Sequence, residues 1–291
     1  MFKKYWKFFV IFWSVVLVGI IGVFVFFWLI SAGKLGFMPT FEELENPNNR
    51  FASEVYFADG PIMNRYFEKE NRKYIEYREI PQSVIDALIA TEDVRFYDHS
   101  GVDVRGLFRV AKGLLTANTS AGGGSTISQQ LAKMLFPRES DLNVFELAIR
   151  KFREWVIAVR LEKSYTKEEI LTMYLNKYDF LNLAVGISSA ADIYFQVPLD
   201  SLKVEQAAML IGMAKNSSYY NPVRRPELTL NRRNVVLSQM YKYDKITREE
   251  CDSLKKLPLG LNFKRVDHKE GLATYFLPRR NAGAVRRDER P

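Results

Sequence analysis

The sequence predicts a mainly α-helical domain carried on a single N-terminal transmembrane helix. An uncharged apolar run of 23 residues, from Phe8 to Ile30, opens the chain. From Pro81 onward, apolar residues recur at helical spacing nearly to the end. Among the 291 residues, 47% are hydrophobic and 26% are charged, which is typical of a folded chain that buries one or two cores.

The apolar run is long enough to cross a bilayer. At about 1.5 Å of rise per residue it spans about 35 Å, against a hydrocarbon core of about 30 Å. Lys3, Lys4 and Lys7 precede it and only Lys34 follows closely, so the positive-inside rule predicts a cytoplasmic N-terminus. A cleaved signal peptide would have an apolar region of about 7–15 residues and a small-residue cleavage site. No clear site follows, so we expect a retained anchor over residues 1–30.

After the anchor, a connector is predicted over 31–52, where Gly, Pro and Asn concentrate. A small strand pair should turn at Asp59-Gly60, with Val55 to Phe57 before it and Tyr74, Ile75 and Tyr77 after it. Helices follow, the first with Pro81 in its first turn. Two later helices should begin with capping boxes, at Asn143 with Glu146 and at Thr166 with Glu169.

Charge and cysteine content exclude some classes of protein. The formal charge is +8, partly from an Arg-rich C-terminal tail. The rest is either ordinary solvation or a basic surface that faces anionic lipid or a diphosphate. Cys251 is the only cysteine, which excludes an internal disulfide framework. Nothing in the sequence resembles a nucleic-acid-binding module.

The first candidate motif is the run from Glu92 to Gly101. Ile85, Leu88 and Ile89 lie at helical spacing upstream, and Glu92 continues the same face. A carboxylate at the end of an apolar face tends to be partly desolvated, which suits it to proton transfer. The alternative is a helix-end Glu paired with Arg95, and position alone does not decide between them.

The second motif is Gly122-Gly123-Gly124-Ser125-Thr126, followed by Ile127 to Lys133. Ser125 or Thr126 is suited to cap the helix that follows. Thr126, Gln130 and Lys133 recur at 0, +4 and +7, so they share a face beside a helix N-terminus. Such an end with an added Lys is a suitable anion site, here for a diphosphate.

The third motif is Arg150-Lys151-Phe152-Arg153-Glu154. Arg150 and Glu154 are four residues apart, so one interpretation is a surface ion pair worth about 0.3–0.5 kcal/mol. The functional interpretation places Arg150 on a diphosphate, because its planar guanidinium donates two bonds at once. Glu154 would then lie near a sugar.

Together these motifs resemble glycosyltransferase family 51, the peptidoglycan glycosyltransferase domain of class A penicillin-binding proteins. The Glu-Asp-x-x-Phe-x-x-His-x-Gly, Gly-Ser-Thr-Ile-x-Gln-Gln-Leu-x-Lys and Arg-Lys-x-x-Glu runs occur in family order. Downstream, Tyr174-Leu175-Asn176, Gly186-Ile187 and Tyr220-Asn221-Pro222 also match. Leu181 departs from the pattern, since many members have Gly there.

The resemblance implies a lysozyme-like fold and the polymerisation of lipid II into β-1,4-linked glycan strands. Glu92 would be the general base of an inverting transfer that releases undecaprenyl diphosphate. Glu154 would assist the leaving group or organise the cations. The substrate-binding residues would be Ser125, Thr126, Gln130, Lys133 and Arg150 around the diphosphate, with Asp93, Phe96 and His99 supporting Glu92.

The same resemblance places the domain at the outer face of the bacterial inner membrane. Its partners would be lipid II, the growing strand and membrane lipid, with other cell-wall synthesis proteins as further candidates and no nucleic acid. It allows a divalent cation, Mg²⁺ or Mn²⁺, at the diphosphate, although no metal-ligand cluster is visible in the sequence. No other cofactor is expected.

The segment from Val104 to Leu115 leaves two interpretations open. Leu107, Phe108, Ala111, Leu114 and Leu115 form one face, while Arg105, Arg109 and Lys112 form another. Such a helix either lies in the headgroup region of a membrane or faces the core with a solvated edge.

The catalytic domain is predicted over 53–257, and residues 258–291 read as a linker remnant with an Arg-rich tail. Ser164 to Lys167 and Ser253 to Lys256 match Ser-x-x-Lys, but neither Ser-x-Asn nor Lys-Thr-Gly follows, so no transpeptidase is expected. A truncated or frame-altered bifunctional parent would explain this end. The rival functions are a lysozyme-like hydrolase, which also uses paired carboxylates, and a non-catalytic scaffold.

Overall fold

The computed structural model describes residues 2–36, 38–39, 53–56, 62–66, 73–116, 123–135 and 143–264. The Asp59-Gly60 turn, most of the connector, Gly122 and the tail from residue 265 lie outside these ranges. The described helices are α1 (Phe2–Ser31), α2 (Gln82–Glu92), α3 (Val104–Leu115), α4 (Ile127–Leu135), α5 (Val144–Ser164), α6 (Lys167–Lys177), α7 (Ile187–Phe195), α8 (Val204–Met213), α9 (Pro226–Lys242) and α10 (Arg248–Lys256). The mainly helical prediction is confirmed.

The chain divides into two compact units. The first comprises Met1–Asn48 and Leu88–Lys177, and the second comprises Asn49–Ala87 and Tyr178–Pro291.

In the first unit, α4 packs against α5 and α6, and α1 packs on α5. Capping boxes start α5 and α6 where the sequence predicted them. The Asn143 side chain accepts from the Glu146 N–H at 3.0 Å, and the Thr166 hydroxyl accepts from the Glu169 N–H at 3.3 Å. Because each cap satisfies an otherwise unpaired N–H, the start of each helix is fixed locally.

Helix α1 is the one described helix that is long and apolar enough to cross a membrane. Its span from Trp6 to Ser31 has a mean hydropathy of 2.8. The C-terminal end of α1 contacts α5, where the Phe152 ring meets Phe26 and Phe27 edge-on at 5.3 and 5.8 Å. Ile30 is fully buried. The end of this helix is therefore part of the packed unit.

In the second unit, β1 (Ser53–Tyr56) pairs antiparallel with β2 (Ile62–Tyr66). The sequence-based choice of Tyr74, Ile75 and Tyr77 for the second strand is wrong, since Tyr77–Glu79 forms a 3₁₀ turn. The segment closer in sequence, Ile62–Tyr66, pairs instead, because a shorter connection costs less loop entropy.

The described helices of the second unit are stabilised by their packing and by the buried guanidinium of Arg233. Helices α8 and α9 pack together, and α8 is buried from Ala207 to Met213. The fully buried Arg233 donates to the Lys255, Leu257 and Pro258 carbonyls at 3.2, 2.8 and 2.9 Å. The Lys255 carbonyl lies in the last turn of α10 and the other two follow it, so the guanidinium satisfies acceptors at the end of the helix.

Candidate active site

Every site residue that the sequence predicts lies in the first unit, within Leu88–Lys177. The end of α2, the turn after it, the start of α4 and the first half of α5 position them. Hydrogen bonds join most of these side chains into three groups.

The first group contains Glu92, at the last residue of α2. The apolar face of α2 that precedes Glu92 is buried, and Leu88 is fully buried. Glu92 itself is half-buried. Gln130 Nε2 donates to Glu92 Oε2 at 2.9 Å. The Tyr174 hydroxyl, on α6, donates to Gln130 Oε1 at 3.1 Å. A chain of two hydrogen bonds therefore runs from a buried tyrosine to the candidate base.

Arg95 forms an ion pair with Asp103, with 2.5 Å between Nη2 and Oδ2. Burial alone would raise the pKa of Asp103, but hydrogen bonds from Arg95 and from the Gly106 N–H outweigh it and hold that pKa below its ordinary value. The guanidinium that the sequence offered as a partner for Glu92 is thus engaged with Asp103.

The second group is a buried brace formed by Asp93 and His99. Asp93 Oδ2 accepts from His99 Nε2 at 3.0 Å and from the Ile127 N–H at 3.0 Å. The Gly101 N–H donates to His99 Nδ1 at 3.2 Å. Since Nδ1 accepts, the network assigns the neutral ring with its proton on Nε2. The brace ties the turn after Glu92 to the start of α4.

The start of α4 differs from the expected anion site. Its Ile127 N–H already binds the Asp93 carboxylate, and its Gln129 N–H donates to Thr126 Oγ1 at 3.2 Å. The Thr126 hydroxyl in turn donates to the Gly101 carbonyl at 2.7 Å, and the residue is 1% exposed. The protein's own carboxylate therefore occupies this helix end, and Thr126 stabilises the fold from within.

Gly101 lets the turn approach α5 closely. Its φ is +94°, and a Cβ at this position would lie 2.7 Å from the Ala158 carbonyl carbon. No other residue type fits both conditions without strain. Its carbonyl also accepts from Gln129 Nε2 at 3.2 Å. The backbone at Gly101 thus links α4, α5 and the His99 brace.

Phe96 is fully buried beneath the ammonium group of Lys167. Lys167 Nζ lies 4.3 Å from the centre of the Phe96 ring. The same ammonium donates to the His99 carbonyl at 2.6 Å and pairs with Glu162 at 2.7 Å. Phe96 and Lys167 therefore stabilise the turn that contains His99.

The third group joins the glycine loop to α5. Lys151 Nζ donates to Ser125 Oγ at 3.0 Å and to Glu154 Oε2 at 2.8 Å. The cation beside Glu154 is thus Lys151, one residue after Arg150, which one interpretation of the sequence had paired with Glu154. Arg150 is half-buried, and Lys133 is exposed at the end of α4.

Sequence reasoning passed over two residues of these groups, Tyr174 and Lys151. Both stand inside motifs that it quoted. The three-residue spacing of Lys151 and Glu154 could have indicated their pair, whereas only the fold shows that Tyr174 reaches Gln130. Within the described ranges, no three His, Cys, Asp or Glu side chains come together in a way that could hold a metal ion.

Helix α3 presents a cationic face with an exposed aromatic ring. Phe108 is 74% exposed, and Arg105, Arg109 and Lys112 are exposed as well. Its buried positions include Gly106 and Gly113. At Phe108, the structure therefore favours the surface-facing interpretation over the core-facing one.

Comparison with known proteins gives a consistent result. Residues 59–241 match the family described as "Transglycosylase". Penicillin-binding protein 1A of Escherichia coli (strain K12) is 36% identical over 226 residues, which are 78% of this chain and 26% of that protein. Its counterpart in Aquifex aeolicus (strain VF5) is 34% identical over 268 residues, 89% of this chain and 35% of that protein.

Among solved structures, the 2.6 Å crystal structure of penicillin-binding protein 1A from Haemophilus influenzae aligns with 74% of this chain and 22% of that chain. The TM-score is 0.42 and the sequence identity is 23%. The chain spans about a quarter to a third of the length of these curated relatives.

Proposed function

The chain belongs to the transglycosylase family, and from this we propose that it is a peptidoglycan glycosyltransferase that polymerises lipid II in cell-wall synthesis. The observation that carries the proposal is the Glu92 carboxylate, half-buried and hydrogen-bonded by Gln130 within the matched segment. A group held in this way is suited to take a proton at a fixed place.

In the proposed reaction, Glu92 accepts the proton of the 4-hydroxyl of the acceptor sugar. The oxygen forms a bond to the anomeric carbon of the lipid-linked donor while the bond from that carbon to the diphosphate breaks. Attack from the opposite side inverts the configuration, which gives a β-1,4 link. The electron pair of the broken bond leaves with undecaprenyl diphosphate.

The leaving group would be held by side chains. Asp93 occupies the start of α4. The diphosphate would therefore be bound by Lys133, Arg150 and Lys151. Lys151 and Glu154 are already paired at 2.8 Å, which supports a role for Glu154 in orienting the cation. A divalent cation at the diphosphate would add to this charge, and the proposal does not depend on it.

The apolar helix α1 would hold this site at the outer face of the bacterial inner membrane, with the N-terminus in the cytoplasm. Its end is packed on α5 through Phe152, which supports a retained anchor over a cleaved leader. Membrane lipid and the growing glycan strand would then be its neighbours.

The proposal is tested with the full chain in detergent, incubated with lipid II and followed by sizing of the glycan product. Glu92→Gln should lower polymerisation by about 10²–10⁴-fold, because the amide keeps the shape but cannot accept the proton. Glu168→Gln is the matched control, since Glu168 is exposed on α6. A Glu92→Gln rate within a few-fold of the wild type would refute the assignment.

A second arm separates transfer from hydrolysis. Isolated, uncrosslinked glycan strands lack the diphosphate leaving group, so the enzyme should leave them uncut. Release of sugar fragments from these strands would favour the lysozyme-like alternative.

A further inference from the structure

Tyr174 has no assigned role in the proposed reaction, yet its hydroxyl is aimed at the site. The residue is 1% exposed, and its hydroxyl reaches Gln130 Oε1 at 3.1 Å, while Gln130 Nε2 reaches Glu92 Oε2 at 2.9 Å. We propose that Tyr174 is a positioning residue, which holds the Gln130 amide in place and thereby supports the hydrogen bond from its NH₂ group to Glu92 in the proton-accepting form.

The direction of the amide is what matters. An ionised carboxylate only accepts hydrogen bonds, so it requires the NH₂ end of Gln130. If the amide turned over, its oxygen would face the carboxylate, and only a protonated Glu92 would have a hydrogen to give. In the first orientation the Tyr174 hydroxyl donates to Oε1, which holds the amide in place and polarises its NH₂ group towards the carboxylate. A hydrogen bond to the charged form favours that form.

The buried location of Tyr174 keeps its hydroxyl in a fixed position. The ring is held in α6, which packs against α4, the helix that carries Gln130. A tyrosine has few rotatable bonds, so a buried ring fixes the position of its hydroxyl. The simpler interpretation is that the hydroxyl merely finds a partner for a buried polar group, in which case its loss would change stability alone.

The inference rests on the proposed role of Glu92, and Tyr174→Phe tests it because only the hydroxyl is lost. For the full chain with lipid II, the acid limb of the pH–rate profile should move up by about half a pH unit to one unit. The rate on that limb should fall by about three- to tenfold, while KM for lipid II stays within about twofold.

Tyr194→Phe is the matched control for a buried hydroxyl. Tyr194 is fully buried, and its hydroxyl donates to the Phe180 carbonyl at 2.7 Å, within the second unit. This variant should lower the thermal stability and leave the pH–rate profile in place. The control thus shows what a purely structural loss looks like.

Gln130→Ala, alone and combined with Tyr174→Phe, tests whether Tyr174 acts through Gln130. If Tyr174 acts through Gln130, Tyr174→Phe should add little to Gln130→Ala, so the effects should not multiply. A Tyr174→Phe enzyme with a wild-type pH–rate profile, or effects that multiply in full, would overturn the inference.

A measurement without turnover separates this inference from the proposed function. The ¹³C signal of the Glu92 carboxyl, followed against pH in the full chain, should titrate at higher pH in Tyr174→Phe than in the wild type. An unchanged titration overturns the positioning role even if Glu92→Gln is inactive. A shifted titration together with an active Glu92→Gln enzyme would support the positioning role of Tyr174 and reject Glu92 as the base.

Discussion

At the scale of single residues, Leu181 is where the sequence departs from its family and where the backbone is strained. Leu181, Asn182 and Leu183 have φ angles of 65°, 53° and 67°. Such left-handed angles favour Gly, are tolerated by Asn, and cost residues such as Leu about 1–2 kcal/mol each. The Asp179 carboxylate accepts from the Leu181 N–H at 2.7 Å, and this contact helps to hold the conformation. The Gly expected at position 181 thus has a physical reason.

We therefore predict that Leu181→Gly stabilises the protein. Relief of strain should exceed the entropy that Gly adds to the unfolded chain, about 0.5–1 kcal/mol, and leave a gain of about 0.5–1 kcal/mol. This corresponds to a rise in Tm of about 1–4 °C by thermal unfolding in detergent. Leu257→Gly is the control, because Leu257 has an ordinary φ of −70° and should only lose stability. A lower Tm for Leu181→Gly would contradict the strain argument.

At the scale of elements, local signals in the sequence predicted where helices begin. The capping boxes at Asn143 and Thr166 depend on residues three apart, so the sequence alone fixes them. The second strand was misplaced because Tyr74, Ile75 and Tyr77 favour a strand more than most of Ile62 to Tyr66 does, and the shorter connection outweighs that preference.

In the candidate site, too, the sequence predicted residues from local motifs, whereas some of their contacts depend on the fold. The motifs supplied Glu92, Gln130 and Glu154 because their residue types suit the chemistry. They did not show that Thr126 is turned inward or that Lys151 reaches both Ser125 and Glu154. The contacts from Thr126 to Gly101 and from Lys151 to Ser125 join positions 25 and 26 residues apart, so they depend on the packing of the fold, whereas Lys151 and Glu154 are neighbours on one helix.

Helix α5 carries the cations of the site at one end, which leads to a prediction at this scale. Arg150→Ala and Lys151→Ala should each weaken binding of a diphosphate-lipid analogue by about tenfold or more, through loss of charge-assisted hydrogen bonds. Lys133→Ala should do the same from α4. For Lys151, part of the effect should come from releasing Glu154.

Binding and lipid II turnover would be measured for all three variants. The control is Lys163→Ala, because Lys163 is exposed on the same helix. Lys167 is unsuitable as a control, since its ammonium supports His99 and Glu162. If the three variants behaved like Lys163→Ala in both assays, the diphosphate would have to bind elsewhere.

At the scale of the whole molecule, α5 joins the candidate site to the membrane helix. Its first half carries Lys151 and Glu154, and its second half carries Arg160, which donates to the Ser31 carbonyl at 2.9 Å and to the Pro39 carbonyl at 2.9 Å. Burial lowers the pKa of Arg160 from its ordinary value. A cation at the C-terminal end of α1 also suits the helix dipole.

We predict that Arg160→Ala loosens α1 from the first unit without removing any group of the site. The lost hydrogen bonds are charge-assisted but partly exposed, so the expected cost is about 1–2 kcal/mol, or a fall in Tm of about 2–8 °C. Limited proteolysis should also cut faster between Ser31 and Pro39. Arg248→Ala is the matched control, because Arg248 is exposed and its 3.8 Å pair with Asp252 lies on the surface. Equal proteolysis of both variants would mean that α1 is held by its aromatic contacts with Phe152 alone, and Phe152→Ala would then have to release it.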